Sequence, residues 1–297
     1  MEQETQNYGK VSIIMPTYKQ TDLLYKAVNS VLAQTYKNIE LIVIDDNKGV
    51  NARIDNDLYF KKLADNRVVY VQNEVNIGSA KSRNKGIELA KGDFVTFLDD
   101  DDYYSNEKVE RQLEFMLDNN FDGSVCNMIL TNEKGKIVDK RSRNYFSNKE
   151  SLIVKHLKYN ITGTDTMMFK ADFIRFIGGF EEHDFGDEFL LMLKAIEHTD
   201  KIGHLDYDGV FATIHSTTGL SSCDRKIETE NDMIKVKSRY FNELSRKDVR
   251  FIKMRHYAVL AVAYKKGKKY AKCLINLIRS FFIAPIGFFK LYSGRCR

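Results

Sequence analysis

Residues 97–102 read FLDDDD and place four consecutive carboxylates directly after a short apolar run. Like charges held this closely repel one another unless solvent or a cation neutralises them. Carboxylate oxygens suit a hard divalent ion, Mn2+ or Mg2+, and such ions are commonly held by one or two carboxylates together with substrate phosphates. A nucleotide diphosphate is the natural co-ligand. A bare acidic run more often marks a solvated loop, here one that caps the next helix through Ser105 or Asn106. Company favours a site: Thr17 and Tyr18 close the apolar run VSIIMPTY, and Asp45 and Asp46 close IELIVIDD. Arg83, in SAKSRNKGI, adds a guanidinium able to grip a diphosphate with directed hydrogen bonds, whereas Lys81 and Lys85 read as ordinary surface cations. Further on, Asp187 and Glu188 open DEFLLMLKAIEH, where Phe189, Leu190, Leu193 and Ile196 recur at helical spacing. A carboxylate at a helix N-terminus is stabilised by the helix dipole, which accounts for Asp187 without any chemistry.

These groups need elements to hold them. Residues 11–18 and 39–46 are short apolar runs of the kind that form strands buried on both faces, the first of them expected to stop at Pro16, and 68–71 and 94–98 continue the series as further strands. Between them, helices are expected from Thr21 or Asp22 through Leu32, over 79–90 and over 107–118. Strands alternating with helices imply an α/β fold with a mostly parallel sheet covered on both faces. Ligands of such sheets sit beyond the carboxyl ends of the strands, where the polar groups named above gather. No GxGxxG or GxxxxGK[ST] follows the first strand, which argues against a dinucleotide fingerprint and a Walker phosphate loop. Beyond residue 120 the pattern loosens. A hairpin is expected around 132–136, then a strand and short helix in TMMFKADFIRFIGGF ended by Gly178 and Gly179, with Phe180 in the core.

Of the 297 residues, 43% are hydrophobic and 29% charged, so a large core is available. Two prolines and no low-complexity tract leave no obvious linker. Four scattered cysteines form neither a zinc pattern nor a disulfide framework and point to a reducing cytoplasm. The start, MEQETQNYGK, does not read as a secretory signal, so an internal location is expected. From Arg246 onward there are fourteen Lys and Arg against one acid, while residues 1–245 hold thirty-two against forty. A basic tail on an acidic body points to nucleic acid or an anionic membrane surface. Residues 273–292 carry a nine-residue apolar core, Phe281 to Phe289, broken by Pro285 and Gly287 and bracketed by Arg279 and Lys290. That is too short to span a bilayer, which needs roughly 20 apolar residues, and suits a segment lying in the headgroup region on the inner face of the cell membrane. A helix packed on the catalytic domain, or a dimer contact, is the plainer reading.

The pieces VSIIMPTYKQTDLLYKAVNSVLAQTYKNIELIVIDD, NIGSAKSRNKGIELAKGDFVTFLDDDD, IGGF and GDEFLLMLK, in this order, resemble a family 2 glycosyltransferase of GT-A fold over roughly residues 10–220. The resemblance implies that Thr17, Tyr18, Asp46 and Arg83 hold the nucleotide, with Asp45 and Asp100 beside them. It implies that Asp99 contacts ribose or diphosphate and that Asp101 ligates Mn2+ or Mg2+. Asp100 stands where the family usually has Ser or Ala. Gly178, Gly179 and Phe180 resemble the acceptor-side loop, Asp187 flanks it, and Glu188 occupies the place of the general base, usually Asp. His215 follows an apolar strand where related enzymes carry a group that can reach the metal. The expected domains are a catalytic GT-A domain over 1–220, nucleotide-binding half about 10–120 and acceptor half about 121–220, then a C-terminal helical extension over 221–297. The expected activity is inverting, metal-dependent transfer of one sugar from a nucleotide-diphosphate donor, UDP-linked, to a polysaccharide or lipid-linked acceptor. A processive synthase fits poorly, because the chain has no tryptophan for a QxxRW site and no adequate membrane span. A non-enzymatic nucleotide- or nucleic-acid-binding module is the alternative. It lacks the interleaved aromatic and basic residues of RNA binders, so no nucleic acid is expected.

Overall fold

The computed structural model describes residues 8–18, 22–48, 50–141, 149–182, 186–214 and 220–292. In chain order the first elements are β1 (Val11–Thr17), α1 (Asp22–Leu32), β2 (Ile39–Asp45), α2 (Val50–Leu63), β3 (Val68–Gln72), α3 (Ser79–Leu89) and β4 (Phe94–Phe97). Then come β5 (Tyr103–Tyr104), α4 (Lys108–Asp118), β6 (Gly123–Asn132), β7 (Ile137–Arg141) and α5 (Lys149–Tyr159). They are followed by β8 (Met167–Lys170), α6 (Ala171–Phe176), α7 (Asp187–His198) and β9 (Ile202–Ile214). The last helices are α8 (Leu220–Ser238), α9 (Arg246–Lys266), α10 (Tyr270–Ile283) and α11 (Pro285–Tyr292). Two compact units result, one within 1–149, 162–183 and 187–214, the other mainly within 150–161 and 215–297.

The first unit is built on one sheet, ordered β3-β2-β1-β4-β8-β6-β9-β5, with β7 paired to β6. Strands β1 to β4 run parallel, as do β6 and β9, while β8, β5 and β7 run against their neighbours. The chain moves outward from β1 to β2 and β3, then returns to place β4 on the other side of β1. That reversal opens a crevice at the carboxyl ends of the strands, the place where open α/β sheets bind ligands. Every residue of β2 is buried, which explains its unbroken apolar character. Helix α3 approaches the sheet closely: a Cβ on Gly86 would stand 2.3 Å from Ile14 Cγ2.

Two expectations need correction, and one element had gone unforeseen. Pro16 does not end β1; it pairs in register with Ile44 of β2, and β4 stops opposite Ile14, so its missing N–H interrupts no ladder on that side. Helix α2 has no counterpart in the sequence reading, because VNARIDNDLYFKKL lacks a one-sided apolar stripe; Phe60, stacked on Tyr70 at 4.5 Å, docks it instead. Neither Ser105 nor Asn106 caps α4. Glu107 sits at the N-cap without a side-chain bond, and Gln34 supplies the acceptor from α1's end, its Oε1 taking the Val109 N–H at 3.0 Å.

The second unit is helical. Ser245 caps α9 by accepting the Asp248 N–H at 3.1 Å, and Lys158 of α5 pairs with Asp248 at 2.7 Å.

Candidate active site

The acidic run follows β4, and the chain draws its carboxylates apart. Asp100 accepts the Thr17 hydroxyl at 2.6 Å and the Tyr18 N–H at 3.3 Å, tying the end of β1 to the end of β4. Burial pushes the Asp100 carboxyl up to about 6, partly opposed by the Thr17 bond. Asp102 turns to the other side, accepts the Thr213 N–H of β9 at 2.8 Å and meets Asp165. Burial raises both carboxyls, Asp102 to about 6 and Asp165 well above the usual carboxylate range, with the neighbouring acids adding to the rise. Asp165 also accepts the Asp99 N–H at 2.9 Å. Behind the loop, the fully buried Lys108 ammonium donates to Thr96 Oγ1 at 2.6 Å and lies 4.2 Å from the Tyr104 ring centre; burial lowers it to about 8.

Asp45 and Asp46 reach the same crevice from β2, with their oxygens turned into the protein. Asp45 accepts from Asn47, Asn56 and Tyr70, at 2.5 to 2.9 Å. Asp46 accepts the Ile77 and Gly78 N–H groups at 2.8 Å each and Asn73 Nδ2 at 3.0 Å. It thereby satisfies free N–H groups at the start of α3, where a negative charge also suits the dipole. Both residues order the rim. Tyr18 is about half exposed there.

On α3, Arg83 is buried and donates from Nη2 to Asp99 at 2.5 Å and from Nη1 to Asp187 at 2.9 Å. Burial opposes its charge, but Asp99 and Asp187 outweigh that and raise its pKa. Arg83 therefore joins the acidic loop to the start of α7. Next to Asp187 on α7, Glu188 is pushed up to about 7, first by burial and then by its hydrogen bond to Asp187 and that residue's charge. The turn at Gly178 and Gly179 has φ of +78° and +59°, which favours glycine. Asn84 clamps Phe180 with two backbone bonds of 2.8 Å, and the ring packs edge-on to Phe97 at 5.0 Å. The turn thus ends α6 and seats Phe180 in the core. His215 lies outside the described residues.

Among the described residues no group of three or more His, Cys, Asp and Glu is gathered to hold a metal ion. An all-protein cage is therefore not present there. The donors that exist, Asp101 and Asp99 in an oxygen-only loop, fit an ion whose coordination is completed by substrate phosphates. Sequence reading missed Asp165, Asn73, Asn84 and Lys108. Asp165 stands in GTDT, a segment without periodicity, and only its position beneath the Asp99 backbone reveals its part.

Residues 12–177 match the family model described as glycosyl transferase family 2. An uncharacterised glycosyltransferase of Rickettsia felis is 38% identical over 138 residues, 46% of this chain and 22% of that protein. WfaP of Escherichia coli, a UDP-Glc:alpha-D-GlcNAc-diphosphoundecaprenol beta-1,3-glucosyltransferase, is 40% identical over 106 residues, 36% of this chain and 41% of that protein. The matches thus span less than half the length of these relatives. Among solved structures, Staphylococcus aureus TarS 1-349 in complex with UDP-GlcNAc aligns with TM-score 0.57 at 17% identity, covering 96% of this chain and 92% of that one. The mannosyltransferase PcManGT of Pyrobaculum calidifontis, with GDP-Man and Mn2+, aligns with TM-score 0.61 at 16% identity, covering 92% and 86%. At these identities the likeness establishes the fold, and the GT-A architecture expected from the sequence is the one observed.

Proposed function

The chain belongs to glycosyl transferase family 2, and from that premise we propose that it moves a single hexose from a UDP-sugar to a lipid-linked or polysaccharide acceptor in cell-surface glycan synthesis. The observation that carries this reading is the bridge made by Arg83, which links the acidic loop after β4 to the acid pair that opens α7. One guanidinium stands between the place suited to a diphosphate and a carboxyl poised near neutrality. Glu188 takes the proton from the acceptor hydroxyl as its oxygen bonds to the anomeric carbon; the bond from that carbon to the diphosphate oxygen breaks, and UDP leaves with the electron pair. A single displacement of this kind inverts the anomeric configuration. Arg83 holds the diphosphate side, the Thr17 hydroxyl fixes Asp100 at its edge, the half-exposed Tyr18 ring offers a face to the base, and Asp45 and Asp46 keep the surrounding loops in place. Gly178, Gly179 and Asp187 border the acceptor. A divalent ion held by Asp101, with Asp99 beside it, would supply Lewis-acid neutralisation of the departing diphosphate. The UDP-sugar and lipid-diphosphate specificities are those in the name of the Escherichia coli relative.

The test is a panel of nucleotide sugars offered to the purified chain with Mn2+, with Mg2+ and with chelator. Metal-dependent turnover of a UDP-sugar is expected, and Asp101→Ala should remove the metal's effect on UDP binding while leaving the circular dichroism spectrum unchanged. Equal turnover in chelator refutes the metal role, and indifference to every nucleotide sugar refutes the donor assignment.

A further inference from the structure

Helix α10 has two opposed faces. Cys273, Asn276 and Ser280 form a buried seam, and Ser280 Oγ donates to the Met254 carbonyl at 2.8 Å, holding α10 on α9. Arg250 Nε fastens the far end by donating to the Ile283 carbonyl at 2.8 Å. About half a turn away, Leu274, Ile275, Ile278 and Phe282 stand in water, Phe282 with 73% of its surface exposed, and α11 adds Ile286 at 75% and Phe289 at 62%. The spacing of the four α10 residues by three, four and seven makes one stripe, and Ile286 and Phe289 add exposed apolar surface on α11. Large apolar side chains exposed together in this way mark an interaction surface.

The charges beside it indicate the partner. Lys265, Lys266, Lys268 and Lys269 close or directly follow α9, whose C-terminus favours cations, whereas Lys272 lies in the first turn of α10, where the dipole disfavours a cation and no acid is present. Together they form a basic cluster at the end of α10 from which the apolar stripe begins, complementary in charge to an anionic partner. Lys272 and Arg279 flank the seam, lying 5.7 Å and 5.6 Å from the ring centres of Tyr264 and Tyr257 on α9. Asp224, paired to Lys269 at 2.6 Å, offsets only one of these charges. No single described helix is long and apolar enough to cross a membrane, and α10 and α11 meet at a bend of 120°. Fourteen residues of α10 extend about 21 Å, short of a hydrocarbon core of about 30 Å.

We infer that the outer face of α10 and α11 docks on an anionic lipid bilayer, its apolar stripe entering the acyl boundary and its lysines meeting headgroup phosphates. The inference is independent of the proposed sugar transfer, since it rests on the second unit alone.

Co-sedimentation of the intact chain with vesicles tests it. The chain should pellet with phosphatidylcholine vesicles containing phosphatidylglycerol, stay in solution with phosphatidylcholine alone, and be released by salt. The triple variant Phe282→Ser, Ile286→Ser, Phe289→Ser should bind anionic vesicles at least about tenfold more weakly. Each of Lys268→Gln and Lys272→Gln should weaken binding roughly fivefold. All these positions are exposed, so melting temperature should hold and confirms that the variants fold. Vesicle binding unchanged in the triple variant overturns the inference. So does a chain that ignores anionic vesicles yet dimerises in light scattering through the same residues, or one that resists extraction by alkaline carbonate and therefore spans.

Discussion

Desolvation, the hydrogen bond to Asp187 and that residue's charge push the Glu188 carboxyl up to about 7. A general base accepts a proton only when ionised, so the transfer rate should climb as pH rises through about 7 and level off above it. Glu188→Gln keeps the shape and removes the acceptor; kcat should fall by about 10² or more, the rising limb should vanish, and UDP affinity should stay close to wild type. Asp187 raises the Glu188 pKa by charge and hydrogen bond, so Asp187→Asn should move the rising limb to lower pH. Steady-state rates across pH for both variants check the assignment. Near-normal transfer by Glu188→Gln, with loss in Asp187→Asn, would place the base one residue earlier.

Arg83 is positioned by the way α3 lies on the sheet. Asp46 holds the helix start through the Ile77 and Gly78 N–H groups, and Gly86 lets its middle settle on Ile14. Gly86→Ala would put a methyl group inside the Ile14 side chain and push the helix outward, with an expected loss of about 1–3 kcal/mol from overpacking. Urea unfolding should show that loss, and it should shrink in an Ile14→Ala background, where the colliding atoms are gone. Because Arg83 rides on the same helix, UDP binding should weaken as well. Full affinity in a destabilised Gly86→Ala protein would mean that Arg83 is held by its ion pairs alone.

Ligand and metal should act on the unit that carries the acidic loop. At a concentration of UDP about 100 times its dissociation constant in Mn2+, binding adds about 2.7 kcal/mol to the stability of the native state. For a unit of roughly two hundred residues that corresponds to a rise of about 5–10 °C in melting temperature. Differential scanning calorimetry should show the rise in wild type, its collapse with chelator, and its absence in Asp101→Ala. The helical unit contains none of the residues proposed to hold the nucleotide, so a transition assigned to it should not move. A rise of equal size without metal would separate nucleotide binding from the acidic loop.

Much of the first half was legible because its signals are local. A strand buried on both faces shows as an unbroken apolar run, an amphipathic helix as a stripe, and FLDDDD is conspicuous wherever it stands. Arg83 was singled out by its guanidinium chemistry as well as by motif resemblance, and Glu188 by resemblance, which is also carried by neighbouring residues. Helix α2 escaped because its docking depends on one aromatic stack and leaves no periodic trace. Pro16 misled because whether a strand tolerates proline depends on how far its neighbour extends, and β4 happens to stop first. The partners of the polar groups lay beyond any local pattern. Asp165 reaches Asp99 across 66 residues, Arg83 reaches Asp187 across 104, and Gln34 meets the start of α4 across 75. Sequence alone thus named the class of fold, since short-range spacing encodes it, and drew attention to the polar side chains that gather at the strand ends. Which carboxylates are bound to the protein and which are pushed above the usual carboxylate range was decided by tertiary packing, because burial and long-range pairing set those properties.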